Sequence, residues 1–222
     1  MIETYKSKYN YQNYNIRKIN GIRYYQINDN LSVPSVTSIL NLTKTYLPST
    51  SKRINLSNSK PAIIGKLMHK YLDYYISRDT TFYDSDKNFF IAKDLAKITI
   101  DNCINDIDEI WGAEASVYYK KRYAGTIDLI GMMDDKLIIV DYKSSHRKKT
   151  PDEIEEYFLQ LAAYNLAHDW QYKTKVDSIM IFLCMRDGAY EKKVVPFDEL
   201  EKYQNKWLER LTLFEEKMET ND

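Results

Sequence analysis

Apolar and polar residues alternate along the chain in patterns typical of short strands and amphipathic helices. The stretch YNIRKINGIRYYQIN (residues 14–28) predicts a β-hairpin, because its two runs flank Asn20-Gly21, a strong two-residue turn signal. PSVTSIL (34–40) predicts a short helix behind a serine cap, and PAIIGKLMHKYLDYYISR (61–78) a longer helix with proline in its first turn. Residues 47–60 between them are polar, basic and unpatterned, which predicts a loop.

The second half of the chain alternates between helical and strand-like patterns. In chain order it predicts a helix over 87–110, a β-hairpin within 123–145, a helix over 151–170, strands over 177–185 and 190–197, and a helix over 198–218. This order favours an α/β fold. We expect an N-terminal hairpin and basic segment over residues 1–60, and a core over residues 61–222.

The hairpin within residues 123–145 carries acidic residues inside apolar strands. If its turn is centred between Asp134 and Asp135, residues that face each other have numbers that sum to 269, so Asp128 opposes Asp141. Their Cβ atoms would lie about 4.5–5.5 Å apart on one face of the sheet. Lys143 would lie on the same face one pleat further, because side chains alternate along a strand.

Two opposed carboxylates in apolar strands repel each other, so we expect a compensating cation. Carboxylate oxygens suit Mg²⁺ or Mn²⁺. A lysine beside such an ion can orient a water molecule or stabilise charge on a phosphate. The alternative is an exposed hairpin end, where Lys143 simply pairs with one aspartate.

Composition and charge exclude only a few classes of protein. Lys and Arg number 32 against 32 Asp and Glu, so net charge does not indicate a nucleic-acid partner, although residues 31–72 contain six basic residues and no acidic one. Two distant cysteines support neither a disulfide framework nor a cysteine-based metal cluster. The N-terminus lacks the apolar segment of a signal peptide, and no apolar run approaches the roughly 20 residues of a membrane span. We therefore expect a soluble, cytoplasmic protein without a membrane partner.

The sequence resembles the PD-(D/E)XK nucleases, specifically the RecB-type branch with the mitochondrial genome maintenance exonuclease group and its phage relatives. The matching elements occur in the family's order: PSVTSIL (34–40), GKLMH (65–69), EASVYYKKRYAGTIDLI (114–130), LIIVDYKSS (137–145) and QLAAY (160–164). Five ordered elements are far more specific than one Asp-x-Lys. The resemblance implies an α/β, restriction-endonuclease-like core, a mixed central sheet flanked by helices, with an N-terminal hairpin and helical additions.

The resemblance also implies roles for individual residues. By it, the metal ligands are His69, Asp128, Asp141 and the backbone carbonyl of Tyr142, and Lys143 is the catalytic lysine. A lone helical histidine is more often structural, so the metal role of His69 depends on the resemblance.

Four further residues keep more than one interpretation. Gln160 and Tyr164 share a helix face and match the family's Gln-x-x-x-Tyr element, which implies substrate positioning, but the pair also fits an amphipathic helix with one polar core contact. Glu114 is either an auxiliary metal-shell or water-positioning residue, or a partner of Lys120 or Arg122. Gly125 either leaves room for substrate or forms a simple bulge.

Six residues are candidates for contacts with the phosphates of DNA: Lys52, Arg53, Ser144, Ser145, Arg147 and Lys148. The last four follow the catalytic strand, in a segment that meets phosphates in relatives. The first two lie in the basic loop, which would form the entrance for a DNA strand. In both places the plain alternative is a solvated basic loop.

The resemblance implies a Mg²⁺- or Mn²⁺-dependent exonuclease that hydrolyses single-stranded DNA and leaves 5′-phosphate and 3′-hydroxyl ends. A structure-specific or restriction-type endonuclease on the same fold remains open, as does a non-catalytic relative that only binds nucleic acid. No helicase motif is present, so unwinding during repair or recombination would need a helicase or replication partner. Richness in Ile, Lys, Asn and Tyr is compatible with a phage or bacterial source.

Overall fold

The N-terminal part of the computed structural model, which describes residues 7–44, 59–78 and 84–220, is a small antiparallel sheet followed by a helix. Its elements are β1 (Asn15–Ile19), β2 (Ile22–Asn28), β3 (Leu31–Pro34) and α1 (Val36–Thr43). The predicted hairpin is confirmed: β1 pairs with β2, and Asn20 and Gly21 have φ values of 49° and 84°. Ser35 caps α1 by accepting a hydrogen bond from the backbone nitrogen of Ser38.

The remaining elements build one mixed sheet covered by helices. They are α2 (Lys60–Ile76), α3 (Phe89–Asn102), a 3₁₀ turn (Ile104–Asp106), β4 (Glu109–Tyr119), β5 (Tyr123–Met133), β6 (Lys136–Ser145), α4 (Pro151–Tyr172), β7 (Ser178–Met185), β8 (Tyr190–Pro196) and α5 (Phe197–Glu219). The strand order is β4-β5-β6-β7-β8, and only the β6–β7 pair is parallel. This arrangement confirms the predicted fold class.

The sheet separates two apolar clusters, because successive side chains of a strand point to opposite faces. Ile138 and Val140 of β6 pack with α2 and α3, whereas Ile139 packs with α1, α4 and α5. Val36 and Ile39 of α1 belong to the second cluster, so the N-terminal part shares a core with the large sheet. The ends of the strands therefore lie between two layers of helices.

The predicted helix over 87–110 was too long, and strands β3 and β4 were missed. Helix α3 ends at Asn102, and the chain passes through the 3₁₀ turn into β4. Ile104, Ile107 and Ile110 all reach the cluster below α3. Their spacing of three imitates a continued helix, although the chain has left helical geometry at Cys103 (φ −141°, ψ −59°).

Three further sequence predictions concern membrane spans, cysteines and the basic loop. No helix within the described ranges is both long and apolar enough to cross a bilayer. Cys103 and Cys184 are both buried free thiols. The loop predicted over residues 47–60 lies almost entirely outside the described residues, which resume at Ser59, the N-cap of α2.

A buried histidine joins the N-terminal segment to helix α4. The imidazole of His168 lies 2.9 Å from the hydroxyl of Tyr11 and 2.7 Å from that of Thr174, among the rings of Tyr9 and Tyr172. Burial lowers the pKa of His168 to about 4. The unfolded chain, with a histidine pKa near 6.5, therefore binds this proton more readily than the folded protein.

This difference predicts acid-dependent stability. The contribution of His168 is fully present above about pH 6.5 and is lost as the pH falls towards 4, at up to about 1.4 kcal/mol per pH unit. We expect this contribution to the free energy of unfolding to fall by about 2 kcal/mol between pH 6.5 and 5. Urea unfolding of wild-type protein and the His168→Gln variant checks this, because the variant should lose most of that pH dependence. Equal slopes would contradict it.

Candidate active site

The candidate site lies where strands β5 and β6 stop pairing. The backbone ladder runs from Met133–Lys136 to Leu129–Val140, which confirms the predicted register, and Asp128 and Asp141 are the next residues. Tyr142 still pairs with Phe182 of β7, but towards β5 its backbone nitrogen donates a 2.8 Å hydrogen bond to the side chain of Asp128, at Oδ2. Beyond this point β5 pairs only with β4 and β6 only with β7, so both carboxylates lie in the fork between the two separating strands.

Asp128 meets residues from α2 and β4. His69 Nδ1 lies 3.4 Å from Asp128 Oδ1 and 3.7 Å from Glu114 Oε1. The other imidazole nitrogen, Nε2, lies 2.9 Å from the backbone oxygen of Tyr142. Because a carbonyl only accepts, Nε2 carries a proton and Nδ1 faces the two carboxylates. The carbonyl of Tyr142 thus contacts His69 directly.

These contacts explain the charge state of the cluster. Burial lowers the pKa of His69, but the charge of Asp128 and hydrogen bonds to Asp128 and Glu114 outweigh it and raise this pKa to about 10. Burial raises the pKa of Asp128, but the charge of His69 outweighs it and the pKa is lowered. Burial also raises the pKa of Glu114. The cluster therefore attracts positive charge at Nδ1, where a divalent cation would release the proton.

Asp141 has a separate set of partners, from β6 itself and from α4. Its Oδ2 lies 2.5 Å from Lys143 Nζ, and its Oδ1 accepts a 3.0 Å hydrogen bond from Gln160 Nε2 of α4. Burial raises the pKa of Asp141 to about 6, with Lys143 opposing and Asp128 adding to that effect. Burial lowers the pKa of Lys143, but Asp141 and Asp128 outweigh it, so this pKa is raised. Lys143 therefore stays charged at neutral pH, 5.0 Å from the ring centre of Tyr157.

Tyr164 stands behind this pair and explains Gly125. The phenol of Tyr164 is 3 % exposed and accepts a 3.1 Å hydrogen bond from Gln160 Nε2. A Cβ at position 125 would clash with the ring of Tyr164, with Cδ1 and Cζ only 3.0 Å away. Gly125 thus makes room for Tyr164, and Tyr164 supports Gln160 and Asp141.

We expect Gly125→Ala to push Tyr164 away from Gln160. Overpacking of this kind lowers the free energy of unfolding by about 1–3 kcal/mol. Gly65→Ala is the matched control, because a Cβ at this helical glycine would meet only Ser144 Oγ, at 3.5 Å. The control should be about 0.5–1 kcal/mol more stable than wild type. Denaturant unfolding checks the predicted loss of stability in Gly125→Ala and the predicted gain in Gly65→Ala. A Gly125→Ala protein as stable as wild type would contradict this packing.

Glu114 adopts a backbone conformation that is rare in a strand. Its φ is +46°, in the left-handed region that a non-glycine residue seldom occupies without support from its surroundings. Arg122, one of its two predicted alternative partners, instead forms a bidentate ion pair with Glu215, at 2.8 and 2.6 Å. The strained backbone directs Glu114 towards His69 and the site.

Ser144 and Ser145, predicted to follow the catalytic strand, are the last residues of β6, and internal contacts hold the end of the strand and the residues after it. Ser145 is buried and donates a 2.6 Å hydrogen bond to the backbone oxygen of Arg147. The guanidinium of Arg147 forms a two-armed ion pair with Glu153, at 2.7 and 3.0 Å, while Lys148 is exposed and Ser144 half-buried. Lys52 and Arg53, the other two predicted phosphate contacts, lie outside the described residues.

The donor set fits a hard divalent cation. One ligand atom each from His69, Glu114 and Asp128 lie within 4.8 Å of one another. The two carboxylates are suitable ligands for Mg²⁺ or Mn²⁺, and the imidazole adds a nitrogen ligand of the kind that transition-metal ions accept. Asp141, predicted as a ligand, lies outside this group and is engaged with Lys143 and Gln160.

A cavity beside this group is partly lined by residues that were not predicted as site residues. A cavity of about 530 Å³ is lined by His69 and Glu114 together with Arg23, Lys66 and Lys70. The spacing of 66, 69 and 70 on α2 could have suggested the two lysines, because such positions share a helix face. Arg23 gave no such signal, because it reaches the cavity from the N-terminal sheet.

Comparison with known proteins shows the superfamily to which this chain belongs. The family model of the PD-(D/E)XK nuclease superfamily matches residues 46–220, and the chain belongs to this superfamily. The chain is similar to mitochondrial genome maintenance exonuclease 1 of Homo sapiens, at 27% identity, and of Mus musculus, at 26% identity. These matches cover 83% and 84% of this chain but only 59% and 60% of the relatives. A crystal structure from Eubacterium rectale matches 79% of this chain and 69% of its own, with 13% identity and a TM-score of 0.48.

Proposed function

We propose that this nuclease is a Mg²⁺- or Mn²⁺-dependent exonuclease that hydrolyses single-stranded DNA and leaves 5′-phosphate and 3′-hydroxyl ends. The observation that carries the proposal is the buried Asp141–Lys143 pair beside the group formed by His69, Glu114 and Asp128. The names of the curated relatives support exonuclease action. The chain spans only about 60% of their length, so their activity is a hypothesis for this protein.

Lys143 would act on the reacting phosphate. Its ammonium group stays protonated and is held between Asp141 and the ring of Tyr157. It can donate hydrogen bonds to the attacking water and to a phosphate oxygen, where negative charge grows in the transition state. A donor fixed before the substrate arrives needs little reorganisation during the reaction.

Asp141, Gln160 and His69 would orient these groups. Gln160 spans Asp141 and Tyr164, so the carboxylate of Asp141 keeps one oxygen towards Lys143. His69 is fixed by the carbonyl of Tyr142, with Nδ1 directed at the carboxylates. When bound there, a divalent cation supplies polarisation of the phosphate and a lower pKa for water. The attacking water would lose a proton to the solvent as its oxygen bonds to phosphorus, the P–O3′ bond would break, and the O3′ oxygen would take up a proton.

The substrate contacts are also part of the proposal. Ser144, Ser145, Arg147 and Lys148 would meet phosphates beyond the reacting one, and Arg147 would have to exchange its contact with Glu153 for one with DNA. Lys52 and Arg53 remain proposed contacts at the strand entrance.

A helicase or replication partner would supply single strands, and we propose a cytoplasmic protein of phage or bacterial type.

The proposed activity is tested with three DNA substrates and two metal conditions. Linear oligonucleotides labelled at the 5′ or the 3′ end, and a circular single strand, are incubated with Mg²⁺ or with EDTA. We expect both linear substrates to be degraded in Mg²⁺, the circle to survive, and EDTA to stop the reaction. Ligation of the products to a 3′-hydroxyl acceptor checks for 5′-phosphate ends.

The outcomes separate the alternatives. A linearised circle would instead identify an endonuclease. Binding without cleavage of any substrate, in Mg²⁺ and in Mn²⁺, would identify a non-catalytic nucleic-acid-binding protein.

A further inference from the structure

Arg23 of strand β2 lies on the wall of the candidate site. It lines the 530 Å³ cavity together with His69 and Glu114, although it belongs to the small N-terminal sheet. Burial dominates and raises the pKa of Tyr164, whereas the positive charge of Arg23 acts in the opposite direction and lowers this pKa. A guanidinium from outside the catalytic elements therefore faces the space where the substrate would bind.

The N-terminal turn of α1 holds Arg23 in place. The backbone nitrogen of Arg23 donates a 2.9 Å hydrogen bond to Ser38 Oγ, and its carbonyl accepts one from the backbone nitrogen of Ser35, at 2.7 Å. Its Nη2 donates a 2.7 Å hydrogen bond to Thr37 Oγ1. Both the backbone and the guanidinium are thus oriented by the PSVTS segment before any ligand arrives.

Arg23 forms no ion pair with a carboxylate within the described residues. Neither Asp nor Glu in that part of the chain places an oxygen within 4.0 Å of its guanidinium, whereas Arg122, Arg147 and Arg210 all form such ion pairs. Arg23 is half-buried, and its side-chain partners, the hydroxyl of Thr37 and the ring of Tyr25 at 5.8 Å, are both uncharged. A partly desolvated guanidinium of this kind favours an anion, and its planar donors match a phosphate.

We propose that Arg23 binds a backbone phosphate of the nucleic-acid strand next to the phosphate that is cleaved, and that Thr37 is the positioning residue for its guanidinium. The inference rests on the proposed function, since it takes nucleic acid as the ligand of this cavity. With Nη2 bound to Thr37, the remaining donors Nε and Nη1 are available for phosphate oxygens. Arg23 would thereby fix the register of the strand over the site.

The test is a double-mutant cycle between the protein and single phosphates. Oligonucleotides with one neutral methylphosphonate at successive positions are bound, in Mg²⁺, to the slowly cleaving Lys143→Ala protein with and without Arg23→Ala, and fluorescence anisotropy gives each Kd before cleavage is significant. At one position, neutralisation should weaken binding about tenfold when Arg23 is present, the effect of one lost charge-assisted contact. In Arg23→Ala the same neutralisation should change Kd less than about twofold.

Matched variants make the result specific to Arg23. Arg17→Ala removes an exposed arginine from the neighbouring strand β1, away from the cavity, and should keep the tenfold effect. Arg23→Gln keeps a donor for Thr37 and replaces Arg23→Ala if the alanine variant does not fold. Thr37→Val should reduce the coupling, and Thr37→Ser should restore it.

The cycle also separates this inference from the proposed function. No coupled phosphate at any position, or no DNA binding at all, would overturn the role of Arg23. Coupling in a wild-type protein that cleaves nothing would overturn the proposed function and leave the role of Arg23 intact.

Discussion

Replacing Lys143 by alanine is expected to slow cleavage of single-stranded DNA by about 100- to 1,000-fold, the effect of removing one fixed donor from a transition state. The lysine is held between Asp141 and the ring of Tyr157, so the variant loses the positive charge nearest the reacting phosphate. Single-turnover rates at saturating DNA measure the chemical step alone, and DNA affinity should fall far less than the rate.

Lys136→Ala is the control, because Lys136 is exposed at the opposite end of the same strand. It should cleave at the wild-type rate. A Lys143→Ala protein with more than about a tenth of wild-type activity would show that the lysine stabilises the site without taking part in the reaction.

Replacing Asp128 by asparagine is expected to abolish stabilisation by metal ions. A cation that binds the folded protein at a hundred times its Kd stabilises it by about 2.7 kcal/mol. For a chain of 222 residues this raises Tm by about 5–10 °C. Because Asp128 contributes to the His69–Glu114 group, its neutral variant should show little or no rise in thermal scans with and without Mn²⁺.

Asp134→Asn provides the comparison, since Asp134 is exposed in the turn of the same hairpin, far along the strand from the group. It should keep the full rise in Tm. An equal metal-dependent rise in Asp128→Asn would place the cation elsewhere in the protein.

The hairpin register was predictable because it depends on local rules alone. Side chains alternate with a period of two, and Asp134 and Asp135 both adopt positive φ values, 50° and 59°, in the tight turn. Counting outward from that turn places Asp128 and Asp141 opposite each other. The order of the helices and the strands β7 and β8 followed similarly from apolar periodicity.

Other features depend on contacts between distant residues. Sequence arithmetic could not predict that β5 and β6 separate after Leu129–Val140, so that Asp128 turns to His69 and Asp141 to Gln160. Glu114 enters the site through a left-handed backbone, and Arg23 through the docking of a separate sheet. Strand β4 was missed because helix-like spacing of isoleucines precedes it.

The central claim is that His69, Glu114 and Asp128 hold the divalent cation of a nuclease. Its most direct test is a Mn²⁺ anomalous difference map from crystals grown at a Mn²⁺ concentration at which the protein cleaves DNA. We predict a peak bonded to His69 Nδ1 and to carboxylate oxygens of Glu114 and Asp128, beside the Asp141–Lys143 pair. A map from cleaving protein with no peak among these atoms, or with its peak at another site, would contradict the account.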